Sequence, residues 1–318
     1  MSFLAALTEA TGPSVAVELA ADRVSAASLE VRGGRPVISA HASEPLPPGA
    51  LVPSLTASNV VDRAAVAAAL GVVLGRVGRA RRIGLIVPDV VAKISLVRFE
   101  QVPARAADLE QLVRWQVKKT APFPVEDAQV GLVPGVRADD GQEFIVSLAR
   151  RDIVLEYEAV CADAGAHAGI VDIATFNVIN AVLAGSSAPV DDWLLVNMAA
   201  DSASLAILRG PHVIFFRNRA ADTEGTLADL VHQTAMYYED RLKGRGFRRV
   251  ILAGAGAGRT GEAGELRRSL EERLATAVDP IDPRAAAALT DRIEAAPALL
   301  DRLAPLVGLL LRHREAAA

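Results

Sequence analysis

The apolar positions change period along the chain, and the changes mark the elements. Strict alternation over 14–19, 24–31 and 36–40 predicts three short strands, the last two joined by the turn Arg32-Gly33-Gly34-Arg35. A proline-rich stretch follows, with Pro45, Pro47, Pro48 and Pro53. Asp62 then stands where a side-chain cap starts an alanine-rich helix reaching about Gly78, and 83–87 reads as an apolar strand. The order is βββαβ. From Asp192 it returns: strands at 193–198, 203–208 and 212–217 with the turn Arg209-Gly210-Pro211, a helix at 222–243, and a strand at 250–253. The two first strands lie about 180 residues apart, far beyond solenoid periods, so the pattern is a duplicated domain.

Between the copies the pattern breaks. Residues 94–149 read as a strand, a helix at 105–119 and two strands around the turn Asp139-Asp140-Gly141, a small subdomain inserted in the first copy. A helix at 152–164, a strand at 168–173 and a helix at 175–184 then complete that copy, and 185–190 reads as the linker. The expected division is lobe one at 13–88 and 151–190, the inserted subdomain at 89–150, and lobe two at 191–318.

Composition narrows the function classes. In 318 residues, 51% apolar content is enough for two real cores. A net charge of -4 gives no positive field for nucleic acid or anionic lipid. A single cysteine, Cys161, has no internal disulfide partner and suits a reducing compartment. The N-terminus lacks the basic region and long apolar run of a secretory signal, and no apolar run reaches membrane-spanning length, so a cytoplasmic protein is expected. The histidines (His41, His167, His212, His232, His313) have no metal spacing, and neither a P-loop nor a nucleophile elbow occurs. The cluster Arg76, Arg79, Arg81 and Arg82 reads as a solvated helix end.

Duplicated βββαβ lobes with an insertion in the first resemble the actin, Hsp70 and sugar-kinase superfamily, in particular its FtsA-like branch. The local match is sharper: Arg114-Trp115-Gln116-Val117-Lys118-Lys119-Thr120-Ala121-Pro122-Phe123 is similar to the RW-x5-PF signature of the PilM family of type IV pilus assembly. Similar too are the polar strand after Pro88, the Asp163-Ala164-Gly165 helix end leading to Val171-Asp172-Ile173, Tyr237-Tyr238-Glu239, and the 305–312 stretch. The resemblance implies an α/β, actin-like two-lobe fold with ribonuclease H-like lobes and a small α+β subdomain in lobe one. It departs at Gln116 and Lys118, where the family has acids, and at Thr120, where it has an aromatic.

The fold so implied holds ATP with Mg2+ between two glycine hairpins and paired carboxylates. The family pattern D-I-G-x-x-x-V-K falls on Glu18, Leu19, Ala20, Ala21, Asp22, Arg23, Val24 and Ser25, and its second D-I-G on Asn197, Met198 and Ala199, followed by Ala200, Asp201 and Ser202. Ala20 and Ala199 put methyls where glycine lets phosphate approach, and Ser25 lacks a lysine's charge. Glu18 is one methylene too long for the metal geometry and Asn197 is uncharged, so ATP and Mg2+ are expected to be held weakly or not at all. The third loop, Gly254, Gly256 and Gly258 at the end of a strand, is better kept and reads either as an adenosine-binding turn or as a glycine turn without ligand.

The inserted helix carries the apolar stripe Leu109, Leu112, Val113 and Val117, with Trp115 to one side. Arg114, Trp115, Pro122 and Phe123 are the candidate partner-binding residues; the alternative is that the aromatics hold the subdomain to lobe one. The resemblance implies that the groove between subdomain and lobe one takes the N-terminal tail of a PilN-like inner-membrane protein. A scaffold with degenerate ATPase motifs and no catalytic residue is therefore the expected function. The alternatives are an active Mg-ATP ATPase or small-molecule kinase resting on Glu18, Asp201 and the glycine loop, and a GspL-like type II secretion component, which a following membrane helix would favour. The stretch 299–311 is expected to pack in the core.

Overall fold

The computed structural model describes residues 12–185, 191–220, 225–257 and 262–312. Lobe one opens with β1 (Val15–Leu19), β2 (Arg23–Arg32) and β3 (Arg35–Pro45), followed by α1 (Arg63–Val77) and β4 (Arg82–Val87). Asp62 Oδ1 accepts from the Ala65 backbone N–H at 2.9 Å, the cap its position predicts. The inserted segment contributes β5 (Ala92–Phe99), α2 (Ala106–Val117), β6 (Ala128–Ala138) and β7 (Gly141–Arg150). Lobe one resumes with α3 (Arg151–Asp163), β8 (His167–Ile173) and α4 (Ala174–Gly185).

Lobe two repeats the order with β9 (Asp192–Met198), β10 (Ser202–Arg209), β11 (His212–Ala220), α5 (Leu227–Leu242) and β12 (Arg249–Ala253), then α6 (Glu262–Leu274) and β13 (Val278–Pro280). The helix expected from 222 begins at Leu227 instead, because Thr226 and Asp229 form a reciprocal capping box there; Asp222 itself lies outside the described residues. The chain ends in β14 (Ala288–Leu289) and α7 (Pro297–Leu311).

Three sheets result, ordered β14-β3-β2-β1-β4-β8, β11-β10-β9-β12-β13 and β5-β7-β6. In each large sheet an antiparallel meander is extended by parallel strands, β4 on β1 and β12 on β9, so both copies share one topology. The two-lobe actin-like α/β fold is therefore the observed one.

The C-terminal stretch departs from the simple division. Sequence order assigns 191–318 to lobe two, yet β14 pairs with β3, and α7 packs on the lobe-one sheet through Leu303, Leu306 and Leu310 against Ala16, Ala27 and Ile86. The cause is the all-round apolarity of α7, which has to be buried on more than one side. Its Ala304 instead joins the lobe-two cluster beside Val178 and Val182 of α4, so α4 and α7 lie between the two large sheets. They cross closely at Gly308, where a Cβ would overlap the Asn177 carbonyl. The outer faces are covered by α1 and α3 in lobe one and by α5 and α6 in lobe two.

Candidate functional site

Strand pleat decides which side chains meet α7. In β1 and β2, Val15, Val17, Leu19, Val24 and Ala26 belong to the outer core, whereas Ala16 and Ala27 face α7. With a period of two, Glu18, Arg23 and Ser25 face α7 as well. The β1–β2 hairpin closes with Ala20 N–H donating to Arg23 O at 2.9 Å, and the β9–β10 hairpin with Ala199 N–H donating to Ser202 O at 2.8 Å. The hairpins are alike and face one cavity.

That cavity is small, about 50 Å³, and is lined by Glu18, Ala20, Arg23, Asn197, Ala199 and Asp301 among others. Sites for nucleotide-sized ligands occupy roughly 300–1,000 Å³. Arg23, read from the pattern only as a spacer position, lines it: its guanidinium donates to Glu18 Oε2 at 3.3 Å and to Asp22 Oδ1 at 2.9 Å. Burial pushes the Glu18 carboxyl above its usual range, and the Arg23 charge offsets this in part. Ser25 is fully buried and hydrogen-bonded to the Ser43 hydroxyl at 3.1 Å. Neither Ala20 nor Ala199 has a positive φ; among the described non-glycine residues only Lys243 and Ala275 do. The hairpins thus no longer use the left-handed conformation for which glycine is needed.

The glycine turn is occupied from within. Gly254 N–H donates to Asp301 Oδ1 at 3.0 Å and Gly256 N–H to Asp301 Oδ2 at 2.6 Å. A carboxylate from α7 therefore takes the backbone donors that an anionic ligand would use. Gly254, at φ +77°, lies against the Met198 carbonyl, and a Cβ on Gly256 would stand 2.6 Å from Asp301 Oδ2 and 2.9 Å from Ala298 Cα. Both glycines are explained by packing; Gly258 lies outside the described residues. Burial raises the Asp301 carboxyl, against the lowering effect of the two amides.

A second polar cluster, centred on Asp89 just beyond β4, escaped the sequence reading. The buried Asp89 carboxylate accepts from Thr175 N–H at 2.9 Å, from the Thr175 hydroxyl, and from Ser204 Oγ at 2.6 Å. Asn197 Nδ2 donates to Thr175 Oγ1 at 2.9 Å, which with the Ser204–Asp89 bond ties lobe one to lobe two, and Asn218 Nδ2 donates to Ser204 Oγ at 2.9 Å within lobe two. Asn197 is thus a lobe-bridging residue here. Burial raises Asp89, and burial also raises Asp201, whose Oδ1 accepts from Ser202 Oγ at 3.4 Å. The only available signal for Asp89 was a polar residue at the C-terminal end of a parallel strand, where α/β sites gather.

Mg-ATP does not fit these residues as placed. The cavity is small, Arg23 is paired with the carboxylate at 18, and Asp301 accepts from the glycine-turn amides.

The signature around Trp115 divides into two kinds of residue. Arg114 donates to Val125 O at 2.8 Å and Ala128 O at 3.4 Å, tying α2 to the start of β6, and Phe123 packs against the subdomain core. Pro122 is exposed, and Trp115 is 70% exposed. Trp115 is therefore not what holds the subdomain to lobe one.

Between the subdomain and lobe one runs a groove of about 330 Å³, lined on one side by Val130, Leu132 and Val133 of β6 and on the other by Val171, Ile173 and Phe176. Strand β6 ends the three-stranded sheet and β8 ends the six-stranded one, so two open strand edges border it. The Asp172–Arg312 ion pair supplies its charge. No described helix is long and apolar enough to cross a membrane.

Comparison with known proteins bears on the fold and the family. A solved PilM–PilN type IV pilus biogenesis complex contains a chain 19% identical, with a TM-score of 0.80 over 96% of this chain and 99% of that one. The cytoplasmic domain of EpsL, an inner-membrane component of the type II secretion system of Vibrio cholerae, is 10% identical with a TM-score of 0.50, over 96% and 95% of the two chains. A protein with an actin-like ATPase fold from Bacteroides thetaiotaomicron is 10% identical with a TM-score of 0.48, over 86% and 92%. The family model for type IV pilus assembly protein PilM matches residues 16–240, more than two thirds of the chain, and the chain belongs to that family.

Proposed function

We propose that this protein is an actin-like scaffold of type IV pilus assembly. It works in the cytoplasm and reaches the inner membrane by holding the N-terminal tail of a PilN-like protein. The observation that carries this reading is the apolar groove between subdomain and lobe one, bordered by the unpaired edges of β6 and β8. An extended peptide placed there gains main-chain hydrogen bonds from an edge and pockets for alternate side chains. Arg114 and Phe123 serve by positioning the start of β6, while Trp115 and Pro122 stand open for direct contact beside the subdomain.

ATP hydrolysis is weak or absent in this reading, and the division into lobes and inserted subdomain serves recognition. Supporting it are Arg23 on Glu18, Asp301 on the glycine-turn amides, and the Asp89 cluster joining the lobes. Calorimetric titration of a PilN-like tail peptide into wild type and Val133→Asp tests the groove. Val133 is 47% exposed on β6, so the variant keeps its core. At least a tenfold loss of affinity is expected; equal affinity for both proteins removes the groove from the account.

A further inference from the structure

A cavity of about 890 Å³ lies apart from the groove. It opens between three parts of the fold: Leu51 and Val52 in the loop after β3, Lys93 and Ile94 on β5, and Phe216 and Arg217 on β11. Phe216 stacks on Phe176 with centroids 5.5 Å apart. Since Phe176 lines the groove, the aromatic pair stands between the two spaces.

Three features of this cavity converge on one kind of occupant. First, it is flanked by two strand edges that have no further partner among the described residues: β11 ends the five-stranded sheet beside β10, and β5 ends the three-stranded sheet beside β7. An open edge presents a row of N–H and C=O groups to a further strand. The lining part of β11, 216–220, is long enough for about five residues, or roughly 17 Å of extended chain. Second, the wall is apolar at Leu51, Val52, Ile94 and Phe216, so alternate side chains of an added strand find a dry face. Third, the wall carries two cations, Lys93 and Arg217. Lys93 Nζ donates to the Thr120 carbonyl, and neither Lys93 nor Arg217 is in an ion pair among the described residues. Asp201 is the single carboxylate among the described lining residues.

We propose that this interlobe cavity is a second protein-docking site, which takes an extended segment of alternating acidic and apolar residues as an added strand on β11. A small molecule leaves both edges unpaired, and the net charge of -4 disfavours a nucleic acid. The site does not depend on what fills the groove.

The test uses fluorescence anisotropy with two labelled hexapeptides, one alternating Glu and Leu and one alternating Lys and Leu, on the full chain. Saturable binding of the Glu-Leu peptide is expected, with the Lys-Leu peptide at least tenfold weaker. The pair Lys93→Glu with Arg217→Glu should invert that order, and Val133→Asp in the groove should leave it unchanged. If the double variant does not fold, Arg217→Glu alone, exposed on β11, decides. No saturable binding, equal binding of both peptides, or indifference to charge reversal overturns the proposal. Binding lost in Val133→Asp moves the peptide to the groove and overturns it equally.

Discussion

Substituting Gly254 by alanine separates a glycine kept for packing from one kept for phosphate. Its φ of +77° costs an L-residue roughly 1–2 kcal/mol. The added Cβ overlaps the Met198 carbonyl, so β12 has to move away from β9 near the pair Ala253 and Asn197, an overpacking cost of about 1–3 kcal/mol. Reduced freedom of the unfolded chain returns roughly 0.4–1 kcal/mol. The net expectation is a loss of about 3 kcal/mol, read by urea unfolding in buffer free of nucleotide. Gly256→Ala should lose about 1–2 kcal/mol, since its Cβ meets Asp301 and Ala298 without a positive φ. If both variants stay within about 0.5 kcal/mol of wild type while affinity for ATP collapses, the turn exists for a nucleotide and the packing argument is refuted.

Other expectations follow from the same contacts. Gly308→Ala, at the crossing of α4 and α7, should destabilise by about 2 kcal/mol, whereas Gly71→Ala, in open space on α1, should stabilise by up to about 1 kcal/mol; the opposite signs are read from paired urea curves. Trp193 is fully buried and its indole N–H donates to Gly210 O at 2.9 Å, so Trp193→Ala should cost about 3–5 kcal/mol, while the exposed Trp115→Ala should change stability by less than about 0.5 kcal/mol. Burial, helped by Arg302 and Arg23, pushes His41 down to about 4 from its ordinary 6.5, and its Nε2 has no hydrogen-bond partner among the described residues. Between those values the unfolded chain binds the extra proton, so stability is full above pH 6.5 and falls as pH drops toward 4, by at most about 3 kcal/mol. The buried carboxylates Glu18, Asp89 and Asp301 act in the opposite sense, so the difference between wild type and His41→Gln is the readout; a flat difference contradicts the burial argument.

The repeated meander, the Asp62 cap and the positions of both hairpins were legible because each rests on local pattern or turn chemistry. The path of the C-terminus was not. Nothing local tells that β14 joins β3, or that α7 returns to lobe one, because parallel pairing across 250 residues leaves no mark in either segment. The departures in the hairpins were legible: alanine at 20 and 199, serine at 25 and asparagine at 197 all differ from the family pattern that the resemblance supplied. The side chains that contact these loops lay out of view. Arg23 sits at a position the pattern leaves free, and only the pleat brings it to Glu18. Asp301 comes from a helix some 45 residues beyond the turn it caps, as the Gly256 bond records. Trp115 and Phe123 looked like one aromatic pair in sequence, but the helix turns Trp115 outward while Phe123 follows the chain back into the core.

The most direct measurement is a calorimetric titration of the PilN-like tail peptide into the protein stripped of nucleotide and divalent cations. The account predicts saturable one-to-one binding, unchanged when Mg-ATP is added, because Arg23 and Asp301 already stand where a nucleotide would act. Binding that appears only with Mg-ATP would contradict it.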